Sequence, residues 1–138
     1  MSNQQEDKKI LNDEIDKKHV EWKKLRIFNR NCDAGLTIAT IFLTLFTALL
    51  GVEGISMDDT FRKALIGISG GIVVAIQSIG NAFPVKQRAG EYRLVESQAY
   101  TLKSKLGFLQ TEIEIKESLP KIQEEFYKLV SEAAALES

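Results

Sequence analysis

The chain has 138 residues, a formal net charge of −1 and 44% hydrophobic residues. This length fits one domain and leaves no room for separate catalytic and regulatory lobes. The near-neutral charge, with no uninterrupted basic stripe, argues against nucleic acid as a partner.

Charged and apolar residues are segregated along the chain. A charged N-terminal arm and a charged C-terminal arm flank an apolar middle. This pattern predicts an all-α fold, a two-span transmembrane helical hairpin with long amphipathic, coiled-coil arms. The predicted segments are an N-terminal helix in 1–33, transmembrane helices over 34–52 and 64–85, a connecting loop over 53–63, and C-terminal helices over 86–138 with a break near 118–120.

The N-terminal arm carries a thin apolar stripe, formed by Leu11, Ile15, Trp22 and Leu25. A helix with this stripe is expected to begin near Asn3 or Asn12, because an Asn side chain can cap a helix N-terminus. Since the stripe needs a cover, we expect this arm to pack against the C-terminal arm.

The apolar middle contains two uncharged runs, of 19 residues (34–52) and 22 residues (64–85). As helices they extend over about 28 and 33 Å, which matches a hydrocarbon core of about 30 Å. A pair of buried helices in a soluble bundle is the alternative. A buried helix of a soluble bundle is usually apolar along one stripe, whereas the first run, as a helix, has apolar residues on all of its sides. The sequence therefore favours a membrane hairpin in contact with lipid.

Basic residues predict the orientation of the hairpin. They precede the first run (Lys17, Lys18, Lys23, Lys24, Arg26, Arg30) and follow the second (Lys86, Arg88, Arg93, Lys103, Lys105). The loop offers Arg62 and Lys63 beside Glu53, Asp58 and Asp59. By the positive-inside rule, both termini are predicted to be cytoplasmic in a multi-pass protein of the inner cell membrane.

Polar side chains interrupt both runs. In the first they form one stripe: Thr37, Thr40, Thr44 and Thr47. In the second, Gln77 and Asn81 lie one turn apart. Two interpretations stay open: these groups hydrogen-bond within and between helices, or they line a water-filled path in an oligomer. The candidate inner mouth of such a path comprises Arg26, Arg30 and Asp33.

A series of small residues runs along another face of the second run, comprising Gly67, Gly71, Ala75, Ser78 and Ala82. Small residues at this spacing allow two helices to approach closely in a membrane. We expect this face to pack the hairpin.

The C-terminal arm has a heptad seam, in which apolar residues alternate at spacings of three and four. The seam includes Val95, Ala99, Leu102, Leu106, Leu109 and Ile113. It is the predicted assembly element of a homo-oligomer. Pro120 is expected in the first turn of a second helix, where proline is tolerated.

No catalytic, metal or cofactor constellation is recognisable in the sequence. His19 is the single histidine, with no partner at ligand spacing, and Cys32 is the single cysteine. The protein is therefore not expected to be an enzyme or to carry a cofactor.

The segment after the second run, PVKQRAGEYRLVESQAYTLKSKLGFLQTEI, resembles the SLATT family, small bacterial two-transmembrane domains associated with SMODS and SLOG systems. The matching residues are Arg88, Tyr92, Arg93, Leu102 and Lys103, and the resemblance covers roughly residues 20–120. It implies a pore-forming or membrane-perturbing effector in bacterial defence that is held inactive until a signal arrives. Because no fused sensor is recognisable, the signal is expected from a separate protein or from the arms.

The sequence thus predicts an oligomeric membrane protein that acts as an ion channel or pore-forming effector in bacterial defence or stress signalling. Its predicted partners are membrane lipid, further copies of itself and a cytoplasmic protein. The alternative is a non-conducting membrane-anchored scaffold that recruits a cytoplasmic partner through its coiled-coil arms.

Overall fold

A computed structural model describes residues 3–52 and 57–137, and these residues form helices and short turns without any strand. The predicted all-α class is confirmed. The four helices are α1 (Asn3–Leu50), α2 (Asp59–Ala82), α3 (Val85–Phe108) and α4 (Glu112–Ala135). Residues 53–56 of the predicted loop lie outside the described residues.

Helix α1 is a single helix of 48 residues, so the N-terminal arm and the first apolar run are one uninterrupted element. It begins at Asn3, and the alternative start near Asn12 is wrong. Helix α2 begins at Asp59, five residues before the predicted start at Ala64. The Asp58 side chain accepts a hydrogen bond from the Phe61 N–H at 3.1 Å, which caps the first turn.

The chain divides into two compact units, Met1–Phe28 with Gln87–Ser138, and Asn29–Lys86. We call the first the three-helix unit and the second the hairpin. In the three-helix unit, Lys8 Nζ donates to the Leu109 carbonyl at 2.6 Å and Lys103 Nζ lies 2.5 Å from Asp16 Oδ1. Residue numbers therefore rise along α1 as they fall along α3, and the two helices are antiparallel.

Helix α4 returns along α3 in the opposite direction. Lys105 Nζ lies 2.7 Å from Glu125 Oε2 near one end of α3. Near the other end, burial raises the pKa of Tyr92 and the neighbouring Glu137 carboxylate adds to the rise. The unit is therefore an up-down-up bundle. Its core comprises Leu11, Ile15, Trp22, Tyr92, Val95, Ala99, Leu102, Leu106, Ile122, Phe126, Leu129 and Ala133.

The heptad seam is occupied within one chain, which corrects its assignment to assembly. Val95, Ala99, Leu102 and Leu106 are buried in the core of the three-helix unit, and Leu109 packs against that core. Ile113, by contrast, is 73% exposed on α4. Because α1 and α4 cover the seam, its buried side chains cannot contact a second copy in this conformation.

The break in the C-terminal arm lies at residues 109–111, so the prediction near 118–120 was wrong. Thr111 caps α4, its hydroxyl accepting from the Glu114 N–H at 3.3 Å, while the Glu114 carboxylate accepts from the Thr111 N–H at 3.0 Å. This capping box satisfies N–H groups that a helix start otherwise leaves unpaired. Pro120 lies inside α4, at a cost of about 3 kcal/mol that the buried residues after it offset.

Replacing Thr111 by Ala should destabilise the three-helix unit by about 1 kcal/mol, because the cap loses its hydroxyl acceptor.

Hydrogen bonds from the backbone N–H groups of Thr111 and Gln110 hold the pKa of Glu114 below its ordinary value. A lowered folded-state pKa stabilises the fold above the unfolded-state pKa, and this stabilisation is lost as the pH falls through the folded-state value.

The measurement is thermal unfolding in neutral detergent, followed by the fluorescence of Trp22, the single tryptophan, which is buried in this unit. The difference in Tm between wild type and Glu114→Gln should shrink as the pH falls below the ordinary pKa range of glutamate. A difference that stays constant with pH would contradict the role given to the carboxylate.

Candidate functional site

The hairpin consists of the C-terminal part of α1 and all of α2, joined by a short connection. Both helices are long and apolar enough to cross a membrane, and only 6% of the most apolar 18-residue stretch of each is buried. Large side chains such as Phe42, Leu45 and Ile68 are therefore exposed. The core helix of a soluble protein would have most of this surface buried.

One hydrogen bond links the two helices close to their connection. The Thr47 hydroxyl donates to Ser69 Oγ at 2.8 Å, and Ser69 in turn donates to the Leu65 carbonyl at 2.8 Å. Ser69 is 4% exposed and is the one buried residue of α2. Sequence reasoning passed over Ser69 because a single serine among small residues gives no sign of which neighbour it meets.

The hydroxyls of Thr37, Thr40 and Thr44 donate to their own helix, whereas the hydroxyl of Thr47 shares its one hydrogen between its own helix and Ser69. Thr37, Thr40, Thr44 and Thr47 each lie 2.8–2.9 Å from the carbonyl oxygen four residues earlier. The stripe is also divided by its surroundings, since Thr40 and Thr47 are half-buried towards α2 while Thr37 and Thr44 are exposed. A threonine in this arrangement tolerates an apolar setting because its donor is already paired.

The amides of Gln77 and Asn81 differ from the threonines. Both residues are exposed, and among the described residues neither side chain has a hydrogen-bond partner. A primary amide carries two N–H donors and an acceptor, which a lone helix surface cannot satisfy. These two side chains are the least satisfied polar groups of the apolar helices.

Four exposed polar residues of α1 and α2 lie on the same side of the hairpin. The residues of α2 that contact α1 centre on Ser69 and Val73, and those of α1 centre on Leu43 and Thr47. At about 100° per residue, Thr44 and Asn81 each lie roughly a quarter turn from this contact, in the same rotational sense. In two antiparallel right-handed helices, the same sense of rotation leads to the same side.

We call this surface the polar flank and define it as Thr37, Thr44, Gln77 and Asn81. Counting from the level of the Thr47–Ser69 contact at about 1.5 Å per residue, the order along the hairpin axis is Thr44, Gln77, Thr37, Asn81. Polar groups from the two helices thus alternate over about 14 Å. Four of the six polar residues predicted from the sequence lie on this surface, whereas Thr40 and Thr47 face α2.

The small-residue face has the opposite position from the one predicted. Gly67, Gly71, Ala75, Ser78 and Ala82 are all exposed, roughly half a turn from the contact with α1. A methyl group added at Gly67 or Gly71 would meet nothing within 4 Å. The prediction that this face packs the hairpin is therefore wrong for a single chain, and its surface is free for another helix.

The residues of the predicted inner mouth are not equivalent. Arg26 belongs to the three-helix unit, where its Nε lies 2.7 Å from Glu96 Oε2. Arg30 and Asp33 belong to the hairpin, and the Asp33 carbonyl accepts the Thr37 hydroxyl at 2.9 Å. Because Arg26 already has an acidic partner, its charge is partly neutralised where it lies.

The described residues contain no group of three or more His, Cys, Asp or Glu side chains that could hold a metal ion. His19 is half-buried beside Glu96, and Cys32 is a half-buried free thiol on α1. Comparison of the chain with protein-family models, with curated proteins and with solved structures gives no match in any of the three. Functional inference therefore depends on the geometry of the polar flank.

Proposed function

We propose that α1 and α2 cross the membrane as a hairpin with both arms in the cytoplasm, and that several hairpins assemble into a channel or pore. In this arrangement the polar flank faces a water-filled path on the assembly axis. The exposed small-residue face of α2 and the apolar surface of α1 then meet neighbouring hairpins and lipid.

The observation that carries the proposal is the pair of unpartnered amides at Gln77 and Asn81. In hydrocarbon, each polar group without a hydrogen bond costs several kcal/mol, so such residues face protein or water. The hairpin itself offers them no partner among the described residues, and a neighbouring copy or a water column supplies what is missing.

Two further features support a path over simple packing of polar groups between helices. The exposed threonines Thr37 and Thr44 already have paired hydroxyls, so they need no neighbour and leave their second lone pairs to water. The polar groups also extend along the axis over about 14 Å, close to half the hydrocarbon thickness of about 30 Å. A polar contact between two helices would need only one such residue.

The resemblance to the SLATT family is consistent with an effector of this kind in bacterial defence or stress signalling, and we include membership of that family in the proposal. The scaffold alternative loses part of its basis. The apolar seam that was to recruit a partner is buried within the three-helix unit. Leu94 and Phe108 remain exposed on α3 and could still contact a partner.

The test is ion flux through liposomes that contain the purified protein. Wild type should conduct, and Thr44→Leu and Asn81→Leu should each abolish flux, because an apolar side chain dehydrates the path. Phe46→Leu, which changes an exposed apolar residue on the opposite surface of α1, is the matched control and should conduct like wild type.

The mass of the detergent-solubilised oligomer should be measured for each variant, so that loss of conduction is separated from loss of assembly. Flux that is unchanged in both polar-flank variants, with the oligomer intact, would exclude the proposed lining. An intact oligomer that never conducts would favour the scaffold.

A further inference from the structure

The three-helix unit has an open groove between α1 and α3 that the proposed channel function does not use. It encloses about 320 Å³ and is lined by His19, Arg26, Arg93, Glu96, Ser97 and Tyr100. His19 and Arg26 are two turns apart on one face of α1. The other four follow a 3-1-3 spacing, which places them on one face of α3.

Cationic groups outnumber acidic groups in this groove. Glu96 is the single carboxylate, and its side chain is 16% exposed at the floor. It lies 2.7 Å from Arg26 Nε and 3.7 Å from His19 Nε2. Arg93 is exposed and has no ion pair with any residue that the structure describes. One acid therefore faces two guanidinium groups and an imidazole.

The hydrogen-bond donors of the groove are incompletely used. The Arg26 Nε atom is inaccessible to solvent and makes no aligned hydrogen bond, so its contact with Glu96 is an ion pair only. The hydroxyls of Ser97 and Tyr100 have no hydrogen-bond partner within residues 3–52 and 57–137. Two guanidinium forks beside free hydroxyls form a donor set that suits the several oxygens of a phosphate group.

We propose that this groove binds a phosphate group, with Arg93 and Arg26 as its principal ligands and Ser97 and Tyr100 as hydroxyl donors. Glu96 holds Arg26 through their ion pair and competes with the ligand for it. The same chemistry is offered by the phosphomonoester headgroup of an anionic lipid and by a soluble phosphate compound. The proposal does not depend on conduction, so the two can fail separately.

The first experiment is calorimetric titration of the full-length protein in neutral detergent with inorganic phosphate at constant ionic strength. Arg93→Gln should weaken binding at least about tenfold, because a charge-assisted hydrogen bond is lost. Lys24→Gln removes an equal charge from an exposed residue of α1 outside this groove, and should bind like wild type. Glu96→Gln should strengthen binding severalfold, since it removes the competing carboxylate.

The second experiment distinguishes the two sources of phosphate. Trp22 fluorescence melts are recorded in phosphatidylcholine nanodiscs, in nanodiscs that also contain phosphatidic acid, and in phosphatidylcholine nanodiscs with added inorganic phosphate. A rise in Tm with phosphatidic acid alone identifies a lipid headgroup, and a rise with inorganic phosphate identifies a soluble ligand. Either rise should disappear in Arg93→Gln and persist in Lys24→Gln. No rise in either condition, or the same rise in both variants, would overturn the proposal.

Discussion

Replacement of Phe126 by Ala is expected to lower the free energy of unfolding of the three-helix unit by about 3–5 kcal/mol. Phe126 is 1% exposed and lies in the core among residues of α1, α3 and α4. Truncating its ring removes buried apolar surface and leaves a cavity that three packed helices fill only in part. Small domains have total stabilities of about 5–15 kcal/mol, so the variant should lose a large share of the total.

The neighbouring aromatic residue is the matched control for this variant. Tyr127 is 51% exposed, and its ring centroid is 5.9 Å from that of Phe126. Tyr127→Ala should therefore cost about 1 kcal/mol or less. Chemical unfolding followed by Trp22 fluorescence measures both. An equal loss of unfolding free energy in the two variants would show that α4 does not turn Phe126 into the core and Tyr127 out of it.

Replacement of Leu45 by Arg is expected to reduce membrane insertion strongly. Leu45 is 57% exposed near the middle of the first apolar run. An arginine at the centre of a transmembrane helix costs about 2.5–3.5 kcal/mol on insertion scales, whereas the same arginine on a water-exposed helix costs almost nothing. The fraction of protein that resists carbonate extraction from membranes measures the effect.

Val20→Arg is the control, because Val20 is also apolar, exposed and on α1, but lies in the three-helix unit. It should remain in the membrane fraction like wild type. If Leu45→Arg and Val20→Arg were extracted to the same extent, the exposed apolar surface of the hairpin would have to be covered by protein instead of lipid.

Properties that depend on composition were predictable from the sequence. Two uncharged runs of sufficient length predicted the helices of the hairpin, and the heptad spacing predicted which residues of α3 are buried. The position of the break in the C-terminal arm could not be predicted from Pro120, which lies inside α4, because Thr111 and Glu114 mark the start of that helix. Those two residues form the Thr-x-x-Glu pattern of a helix start, which was visible in the sequence.

The choice between faces could not be predicted, because periodicity shows which residues share a face but not which faces meet. On α2, both the small-residue face and the face around Ser69 suit close packing, and the structure uses the second. The heptad seam raised the same question, because a partner helix from the same chain and one from a second copy satisfy it equally well. Only the folded chain distinguishes these cases.

The central claim is that two apolar helices carry the chain across a membrane and back. Its most direct test is labelling of single cysteines, in a Cys32→Ser background, with a membrane-impermeant maleimide on intact bacterial cells. A hairpin with both termini in the cytoplasm predicts that Met57→Cys, in the connection, is labelled on intact cells, and that Lys9→Cys and Glu132→Cys are labelled only after lysis. Labelling of Lys9→Cys and Glu132→Cys from opposite sides of the membrane would contradict it.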